Sequence, residues 1–340
     1  MRRTRSRWAA VASCCLAVAS LNAARRPRYG GTLRVEVSSA IRSLDTDVSA
    51  DPLAAAFREN ILREGGPFRV ATLEPMKSIT LEASEQAPGG RPFLDRVEIQ
   101  MGRSPRDQAL DFELGKADVV ELPLSDLRRV QQQGTHISVS QPCLVVVLAF
   151  TGRRADLDRM RQALSMAIDR PAIHNVLLQK QGEISGAMLP QWLSGYAFLF
   201  SASRDLSKAK VMAASAAPLS FAWDKRSSLL RPIAERIVVN AAEAGMILRP
   251  AAGAEADIRL VILRIPSENA AEALRMLGGA PSADPQKMFE AERALIESRH
   301  IVPLFQLPIV YELAPGVNAW TTGPAGNWRL EDVWLESAKP

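Results

Sequence analysis

The sequence contains few of the residues on which metal and redox chemistry depend. Its 340 residues include only 3 cysteines and 3 histidines. Cys14 and Cys15 lie within an N-terminal apolar stretch, which leaves Cys143 as a single thiol that cannot form an internal disulfide. Cys143 precedes an apolar run, so we interpret it as a buried structural residue and not as a nucleophile.

Motifs of common active sites are also missing from the sequence. His136, His174 and His300 lie far apart and follow no metal-ligand spacing, so we interpret each as a surface or capping residue. The sequence has no glycine-rich phosphate loop and no Gly-x-Ser-x-Gly elbow. We therefore predict that the protein is not an enzyme and that it uses no metal and no cofactor. A hydrolase is the third-ranked candidate function for this sequence.

Excess positive charge is confined to the N-terminal region. The net charge is +5 at pH 7, but residues 1–28 carry 7 arginines and no acid. Without these arginines the rest of the chain is slightly acidic. Binding to nucleic acid requires a concentrated basic face, so we predict no nucleic-acid partner.

Residues 1–24 have the form of a secretory signal peptide. A basic start is followed by apolar residues 8–21 and by the small residues Ala23 and Ala24, a plausible cleavage zone. The apolar run is shorter than the roughly 20 residues that a spanning helix needs. We predict a periplasmic or extracytoplasmic protein. Lipidation at Cys14 and an uncleaved N-terminal membrane anchor are the alternatives to cleavage.

Strand and helix patterns mix along the rest of the chain, which favours an α/β fold. Residues 30–37 alternate apolar and polar side chains, as a half-buried strand does. Residues 144–150 form the most apolar segment and predict a strand at the centre of a sheet. Residues 156–179 have helical spacing with a break at Pro171. Residues 301–310 form one extended apolar segment.

Seven segments in order resemble one known family. They are YGGTLRV at residues 29–35, GPFRV at 66–70, PFLDRVEI at 92–99, LGKADVV at 114–120, RQALSMAIDRPAI at 161–173, IVPLF at 301–305 and RLEDVW at 329–334. Together they resemble the extracytoplasmic solute-binding proteins of peptide, oligopeptide and nickel ABC transporters, family 5. The strongest of these matches is residues 161–173.

This resemblance implies a two-lobed periplasmic-binding-protein-like (type II) α/β fold with a ligand cleft between the lobes. The first lobe is expected at residues 29–152 together with 306–340, and the second lobe at residues 153–305. The implied function is to deliver peptides or similar small solutes to an ABC transporter. The expected partners are a small-molecule or peptide ligand and the membrane subunits of the transporter, and the protein is expected to be a monomer.

The sequence departs from this family in two places. Residues 51–66 form only a short linker where the family usually carries an inserted subdomain. After the strand predicted at residues 258–263, the sequence RIPSEN replaces a Trp-Gly-Ala-Asp-Tyr-type segment whose acid can meet a peptide's amino group. The alternative function is therefore a degenerate relative that serves as a non-transport interaction or scaffold protein.

Aromatic residues near the expected cleft are the candidates for ligand contacts. Trp192 and Tyr196 lie in a loop that contains proline and glycine, where aromatic rings can stack on a ligand. Phe150 and Thr151 end the central strand, where we expect the chain to cross between lobes. Packing in the core or between the lobes is the alternative role for these aromatic residues.

Other prominent residues are interpreted as structural. The core anchors of the C-terminal segment are expected to be Trp320, Trp328 and Trp334. The charges interpreted as scaffold of the second lobe are Arg161, Asp169 and Arg170.

Overall fold

A computed structural model describes most of the chain after the N-terminal region. The described residues are 26–44, 54, 57, 61–62, 65–152, 154–195, 200–253 and 255–336. The predicted signal peptide, with Cys14 and Cys15, and the candidate Tyr196 lie outside them. Among the described residues, no helix combines the length and apolarity needed to span a membrane.

The first sheet is built from strands at both ends of the chain. Its strands are β1 (Thr32–Glu36), β2 (Phe68–Glu74), β3 (Ser78–Ala83), β4 (Arg96–Gln100), β5 (Val119–Glu121), β6 (His136–Val139) and β13 (Val310–Leu313). They are arranged in the order β2-β3-β4-β1-β5-β13-β6. β1 is parallel to both β4 and β5, and β13 is antiparallel to β5 and β6. As the alternation in β1 predicts, Leu33 and Val35 are buried.

Two helices and a C-terminal segment cover the first sheet. The helices are α1 (Pro105–Glu113) and α2 (Leu127–Gln132), and the C-terminal strands are β14 (Val317–Asn318), β15 (Thr321–Thr322), β16 (Trp328–Arg329) and β17 (Trp334–Leu335). Strand β14 pairs with β17, and β15 pairs with β16. Trp320, Trp328 and Trp334 are all buried, which confirms the prediction that they are core residues. The rings of Trp320 and Trp328 also contact Tyr311.

The second sheet has the most apolar segment of the chain near its centre. Its strands are β7 (Leu144–Phe150), β8 (Glu183–Ile184), β9 (Leu219–Ala222), β10 (Leu248–Pro250), β11 (Ile258–Arg264) and β12 (Ile301–Leu307). Their order is β10-β9-β11-β7-β12-β8. Strand β7 pairs with β11 on one side and with β12 on the other. The prediction of a central strand at residues 144–150 is therefore confirmed.

Helices pack on the faces of the second sheet. They are α3 (Leu157–Ala167), α4 (Arg170–Ala172), a π-helix (Ile173–Leu177), α5 (Gln191–Ser194), α6 (Leu206–Ala213), α7 (Leu230–Glu243), α8 (Ala270–Met276) and α9 (Pro285–Ser298). The predicted break near Pro171 is present, because Ile168 is extended and Asp169 caps the next helix. Pro171 then lies in the first turn of α4, where a missing N–H costs nothing.

Two short crossovers join the sheets, at residues 140–143 and 308–309. They are hydrogen-bonded to each other: the Ser140 amide donates to the Ile309 carbonyl at 3.0 Å, and the Cys143 amide donates to the Leu307 carbonyl at 2.9 Å. We call the first sheet with its helices the first lobe, and the second sheet with its helices the second lobe. The expected crossovers near residues 152 and 306 differ from these positions, because β7 pairs within the second sheet.

Candidate functional site

The carboxyl ends of the parallel strands of the first sheet point towards the crossovers. Strands β1 and β5 run parallel, and Val310, at the start of β13, pairs with Val139, the last residue of β6. The edge of the sheet at these ends therefore faces the second lobe. In open α/β sheets, ligands bind outside the carboxyl ends of the strands. This edge is the place in the fold where a ligand site is expected.

Glu121 is the last residue of β5 and lies at this edge. Its carboxylate Oε2 accepts a hydrogen bond from the Ser38 amide at 2.7 Å. The side chain of Gln108 on α1 accepts from the Glu121 amide at 2.8 Å and donates to the Ser38 hydroxyl at 3.0 Å. Gln108 is only 1% exposed, so it holds both residues from within the lobe. Directly opposite Glu121, in the register of β5 with β13, lies Tyr311.

Glu121 is enclosed within the first lobe, although the residue is not fully buried. Burial raises the pKa of Glu121 above its ordinary value, and the Ser38 hydrogen bonds and the positive charge of Arg264 oppose this rise. The residue as a whole is half-buried. A half-buried acid with a raised pKa is typical of a binding or catalytic site more than of a scaffold ion pair.

Arg264 faces this edge from the second lobe. It is the last residue of β11 and pairs with Leu144, the first residue of β7 after the crossover. Its Nη2 donates to the carbonyl of Gly326 at 2.9 Å and to that of Ala325 at 3.4 Å. Its Nε is buried and has no hydrogen-bond partner among the described residues. The next residue, Ile265, donates its amide to the Cys143 carbonyl of the crossover at 2.8 Å.

Buried polar atoms without a partner concentrate around these residues. In the described part of the chain, 7 buried side-chain nitrogen or oxygen atoms lack a hydrogen-bond partner. Three of them belong to Arg264, Trp320 and Asn327, and a fourth is the Tyr311 hydroxyl, which is within reach of the Trp328 side chain. The aromatic rings contact each other, and Asn327 follows the glycine whose carbonyl binds Arg264. Buried polar groups are normally paired, so this cluster requires an explanation.

The predicted ligand residues lie in different parts of the structure. Trp192 lies at the first crossover, half-buried, and its Nε1 donates to the Pro142 carbonyl at 2.8 Å. Phe150 is 3% exposed in the core of the second lobe, and the Thr151 hydroxyl donates to the Ala256 carbonyl. Because β7 starts at the crossover, both residues lie at its far end. Ligand contacts of Phe150, Thr151, Trp192 and Tyr196 stay predictions.

The sequence analysis did not identify Glu121, Arg264 and Gln108 as residues of the candidate site. Glu121 ends the short apolar strand VVE, and a charged residue at the carboxyl end of a buried strand is the signal that could have identified it. Arg264 begins the segment in which the sequence departs from the expected family pattern. A buried glutamine in α1 has no comparable signal, because its partners come from distant parts of the chain.

Cys143 is the last residue of the first crossover. Cys143 is free and buried, as predicted, and burial raises the pKa of its thiol. Its Sγ lies 3.4 Å from the Ser140 hydroxyl within the crossover. Among the described residues, no group of 3 or more His, Cys, Asp and Glu side chains could hold a metal ion.

Two open grooves lie at the opposite, amino edge of the first sheet. One of them is lined by three arginines, and all three are ion-paired to neighbouring acids, in the pairs Arg69–Glu82, Arg96–Glu82, Arg91–Glu85 and Arg91–Asp95. In the other, Arg34 is paired with Asp118. These charges already have partners, so neither groove resembles the cluster at the crossovers.

Comparison with known proteins identifies the family of this chain. Residues 38–223 match the middle region of the bacterial extracellular solute-binding proteins, family 5. The chain belongs to this family. It is 24% identical over 168 residues to the probable D,D-dipeptide-binding periplasmic protein DdpA of Escherichia coli, which covers 48% of this chain and 31% of that protein. The match thus spans less than a third of the length of this family 5 relative.

Solved binding proteins share the fold. The murein tripeptide binding protein MppA of Escherichia coli superposes with a TM-score of 0.66 at 13% identity, over 79% of this chain and 64% of that chain. The oligopeptide-binding protein AppA of Bacillus subtilis, in complex with a nonapeptide, gives 0.64 at 15% identity, over 80% and 66%. These superpositions confirm the predicted two-lobed α/β fold in a form shorter than its structural relatives.

Proposed function

We propose that this protein is an exported solute-binding protein that delivers peptides or similar small solutes to an ABC transporter. The observation that carries the proposal is the cluster of Glu121, Arg264 and buried polar atoms without partners, located between the lobes of a family 5 protein. Trp192 is half-buried beside the first crossover and supplies an aromatic surface there. Relatives of this chain are named as binding proteins and not as enzymes.

Opening and closing of the lobes is the proposed mechanism. The crossovers are short, and the described residues make further polar contacts between the lobes besides those of Arg264 with Ala325 and Gly326. One is the Gln179 side chain, which donates to the Ser125 carbonyl at 3.1 Å. Another is Arg128, whose Nη2 donates to the Gln179 carbonyl at 3.3 Å. A ligand that touches both lobes stabilises the closed state, and the transporter distinguishes closed from open.

The predicted signal peptide and the family support a proposed location and proposed partners. A signal peptide at residues 1–24 would export the chain to the periplasm or another extracytoplasmic site, with the N-terminal segment as the alternative anchor. The proposed partners are the membrane subunits of an ABC transporter, and the binding protein itself is proposed to act as a monomer.

A thermal-shift screen tests the proposal. The purified full chain is heated with free-ended peptides of increasing length, with nickel–histidine chelates and with sugars. A ligand at 100 times its Kd adds about 2.7 kcal/mol to the free energy of unfolding, which raises Tm measurably. Calorimetry then gives the Kd of each hit. No shift with any compound would contradict the proposal.

The second candidate is a scaffold protein whose lobes stay closed. It is favoured by the tight docking of the turn at residues 323–327 on the second lobe. An added Cβ at Gly323 would overlap the Glu268 carboxylate, and one at Gly326 would lie 2.9 Å from the Cys143 Sγ. Small-angle scattering separates the two candidates. A scaffold keeps one radius of gyration with or without ligand, whereas a transport protein becomes more compact when it binds.

A further inference from the structure

We propose that the turn at residues 323–327 is a latch that holds the two lobes together when no ligand is bound. The turn belongs to the first lobe, and the segment that it contacts, residues 264–268, belongs to the second lobe. We call this pair of segments the interlobe latch. The inference concerns how the free lobes are held, so it goes beyond the proposed function and can fail while solute binding holds.

Each half of the interlobe latch is fixed within its own lobe. The turn lies between Trp320 and Trp328, which are buried in the core of the first lobe with their ring centroids 5.5 Å apart. Within the turn, the Gly326 amide donates to the Gly323 carbonyl at 2.9 Å. In the other half, Ile265 is 1% exposed in a core cluster shared with β7, α8 and α9. Packed segments move with the core to which they belong, so a contact between these two joins the lobes.

Hydrogen bonds and close packing both join the two halves. The Arg264 Nη2 donates to the Gly326 carbonyl at 2.9 Å and to the Ala325 carbonyl at 3.4 Å, and both bonds are partly buried. At the other end of the second-lobe segment, Glu268 lies so close to Gly323 that an added Cβ on this glycine would overlap its carboxylate. Ala325 is 0% exposed. A charge-assisted hydrogen bond is stronger than a neutral one, so Arg264 is the main polar contact of the interlobe latch.

The interlobe latch also covers the first crossover. Cys143, the last residue of that crossover, is 0% exposed. An added Cβ on Gly326 would lie 2.9 Å from the Cys143 Sγ and 3.2 Å from Ile309 Cδ1, so the turn packs directly on both crossovers. Release of the turn is therefore expected to uncover the Cys143 thiol, which makes this thiol a reporter of the interlobe latch.

The contact on the other side of the crossovers is of a different kind. Strands β11 and β8 flank β7 and β12, the two strands that lead to the crossovers, and the interlobe latch lies on the β11 side. On the β8 side, Gln179 donates to the Ser125 carbonyl and Arg128 donates to the Gln179 carbonyl. Both of these hydrogen bonds are exposed, and water competes for exposed hydrogen bonds. We therefore assign the hold on the free lobes to the β11 side.

Alkylation of Cys143 in the full chain without ligand tests the inference. The chain is treated with iodoacetamide at low concentrations of urea, and mass spectrometry of the peptide that contains Cys143 separates it from Cys14 and Cys15. Local opening hardly depends on urea, whereas global unfolding does. We expect Arg264→Met to raise the urea-independent rate of alkylation by about 10- to 100-fold, the worth of one charge-assisted hydrogen bond.

The controls separate exposure of the thiol from its chemistry and from unrelated charge loss. The positive charge of Arg264 lowers the pKa of Cys143, so its removal alone would slow alkylation, and a faster reaction reports exposure. The matched control is Arg259→Met, on the same strand but opposite Ala149 and away from the crossovers. It is expected to react at the rate of the natural chain, as is Gln179→Ala on the β8 side.

A substitution on the first-lobe half gives an independent test. Gly323→Val places a side chain against the Glu268 carboxylate and is expected to raise the same rate of alkylation. Adding Glu268→Ala removes the overlapping group and is expected to restore protection of the thiol. This rescue requires that the two residues meet across the lobes, and damage within one lobe would not produce it. If Arg264→Met does not fold, these two variants carry the test.

Small-angle scattering of the same proteins without ligand shows whether the lobes separate. We expect the radius of gyration of Arg264→Met to exceed that of the natural chain, and that of Arg259→Met to match it. Equal alkylation rates for Arg264→Met and the natural chain overturn the inference. A faster rate without a larger radius of gyration, or no rescue by Glu268→Ala, overturns it as well. Each of these results leaves solute binding intact, because the thermal-shift screen with ligands decides the proposed function separately.

Discussion

The two lobes enclose two of their charged side chains, Arg170 and Glu121, in opposite ways. In the second lobe, Arg170 is only 1% exposed and meets no acid among the described residues. Its guanidinium donates to the carbonyls of Ser165 at 2.8 Å, Ala202 at 3.3 Å and Pro303 at 3.5 Å. In the first lobe, Glu121 remains half-buried and accepts hydrogen bonds from the Ser38 backbone and side chain. Full enclosure by carbonyls indicates a structural role, whereas partial enclosure at a sheet edge leaves a charge available to a ligand.

Arg170 is part of the scaffold by this comparison. The carbonyls that it binds belong to α3, to the segment before α6 and to β12, so one side chain ties three parts of the second lobe together. Burial lowers the pKa of Arg170 to about 10, which still leaves it charged at neutral pH. The structure therefore agrees with the interpretation of this residue as structural.

The largest effect on stability is expected from replacing Arg170. Arg170→Ala removes the guanidinium that donates to three carbonyls and opens a cavity, and we expect a loss of about 3–5 kcal/mol in the free energy of unfolding. Urea unfolding followed by circular dichroism measures it. The control is Arg293→Ala, whose side chain is 63% exposed, with an expected change within about 0.5 kcal/mol. Equal losses for the two variants would remove the distinction between a buried and an exposed charge.

A smaller effect is expected where the first lobe touches the crossovers. Gly326 has a φ of +73°, and its added Cβ would lie 2.9 Å from the Cys143 Sγ and 3.2 Å from Ile309 Cδ1. Gly326→Ala therefore adds a steric clash to backbone strain, and we expect a loss of about 2–3 kcal/mol in urea unfolding.

The matched control for this variant is Gly90→Ala. Gly90 also has a positive φ, of +91°, but an added Cβ would meet nothing within 4 Å. Only the strain remains, so we expect a loss of about 1 kcal/mol. If Gly326→Ala and Gly90→Ala lower the free energy of unfolding equally, the contact between the 323–327 turn and the crossover contributes nothing to stability.

The smallest effect, and one of opposite sign, is expected at Glu121. Its folded pKa is raised by burial, so the protonated acid is the form that the fold favours. The stability that this group contributes is complete below its unfolded pKa and is lost as pH rises through the folded pKa. Glu121→Gln does not titrate. Relative to the natural protein, it should therefore gain stability between acid and neutral pH, measured by unfolding across that range.

The pH dependence of Glu121→Gln distinguishes a charge available to a ligand from a structural charge. A residue that lowers stability at neutral pH is expected at a functional site, because a charge kept for a ligand is not used to stabilise the fold. If the stability difference between Glu121→Gln and the natural protein is the same at acid and neutral pH, the acid titrates normally. Its enclosure would then be too slight to support a role in binding.

Local patterns in the sequence were enough to predict many of the elements and their class. Alternation in β1, the apolar run of β7 and the helical spacing of α3 each indicated the correct element. The buried tryptophans of the C-terminal segment were also predictable, because large aromatic side chains are expensive to leave in water.

Long-range contacts, in contrast, set where the chain passes between the lobes and which charges meet there. Residues 301–310 form one apolar segment in the sequence, yet β12 and β13 belong to different sheets, and Pro308 between them cannot donate to either ladder. Glu121 and Arg264 lie far apart in sequence and approach because β5 and β11 both end at the crossovers. Strand partners are set by contacts between distant segments, so neither the crossovers nor the pair of charges leaves a local pattern in the sequence.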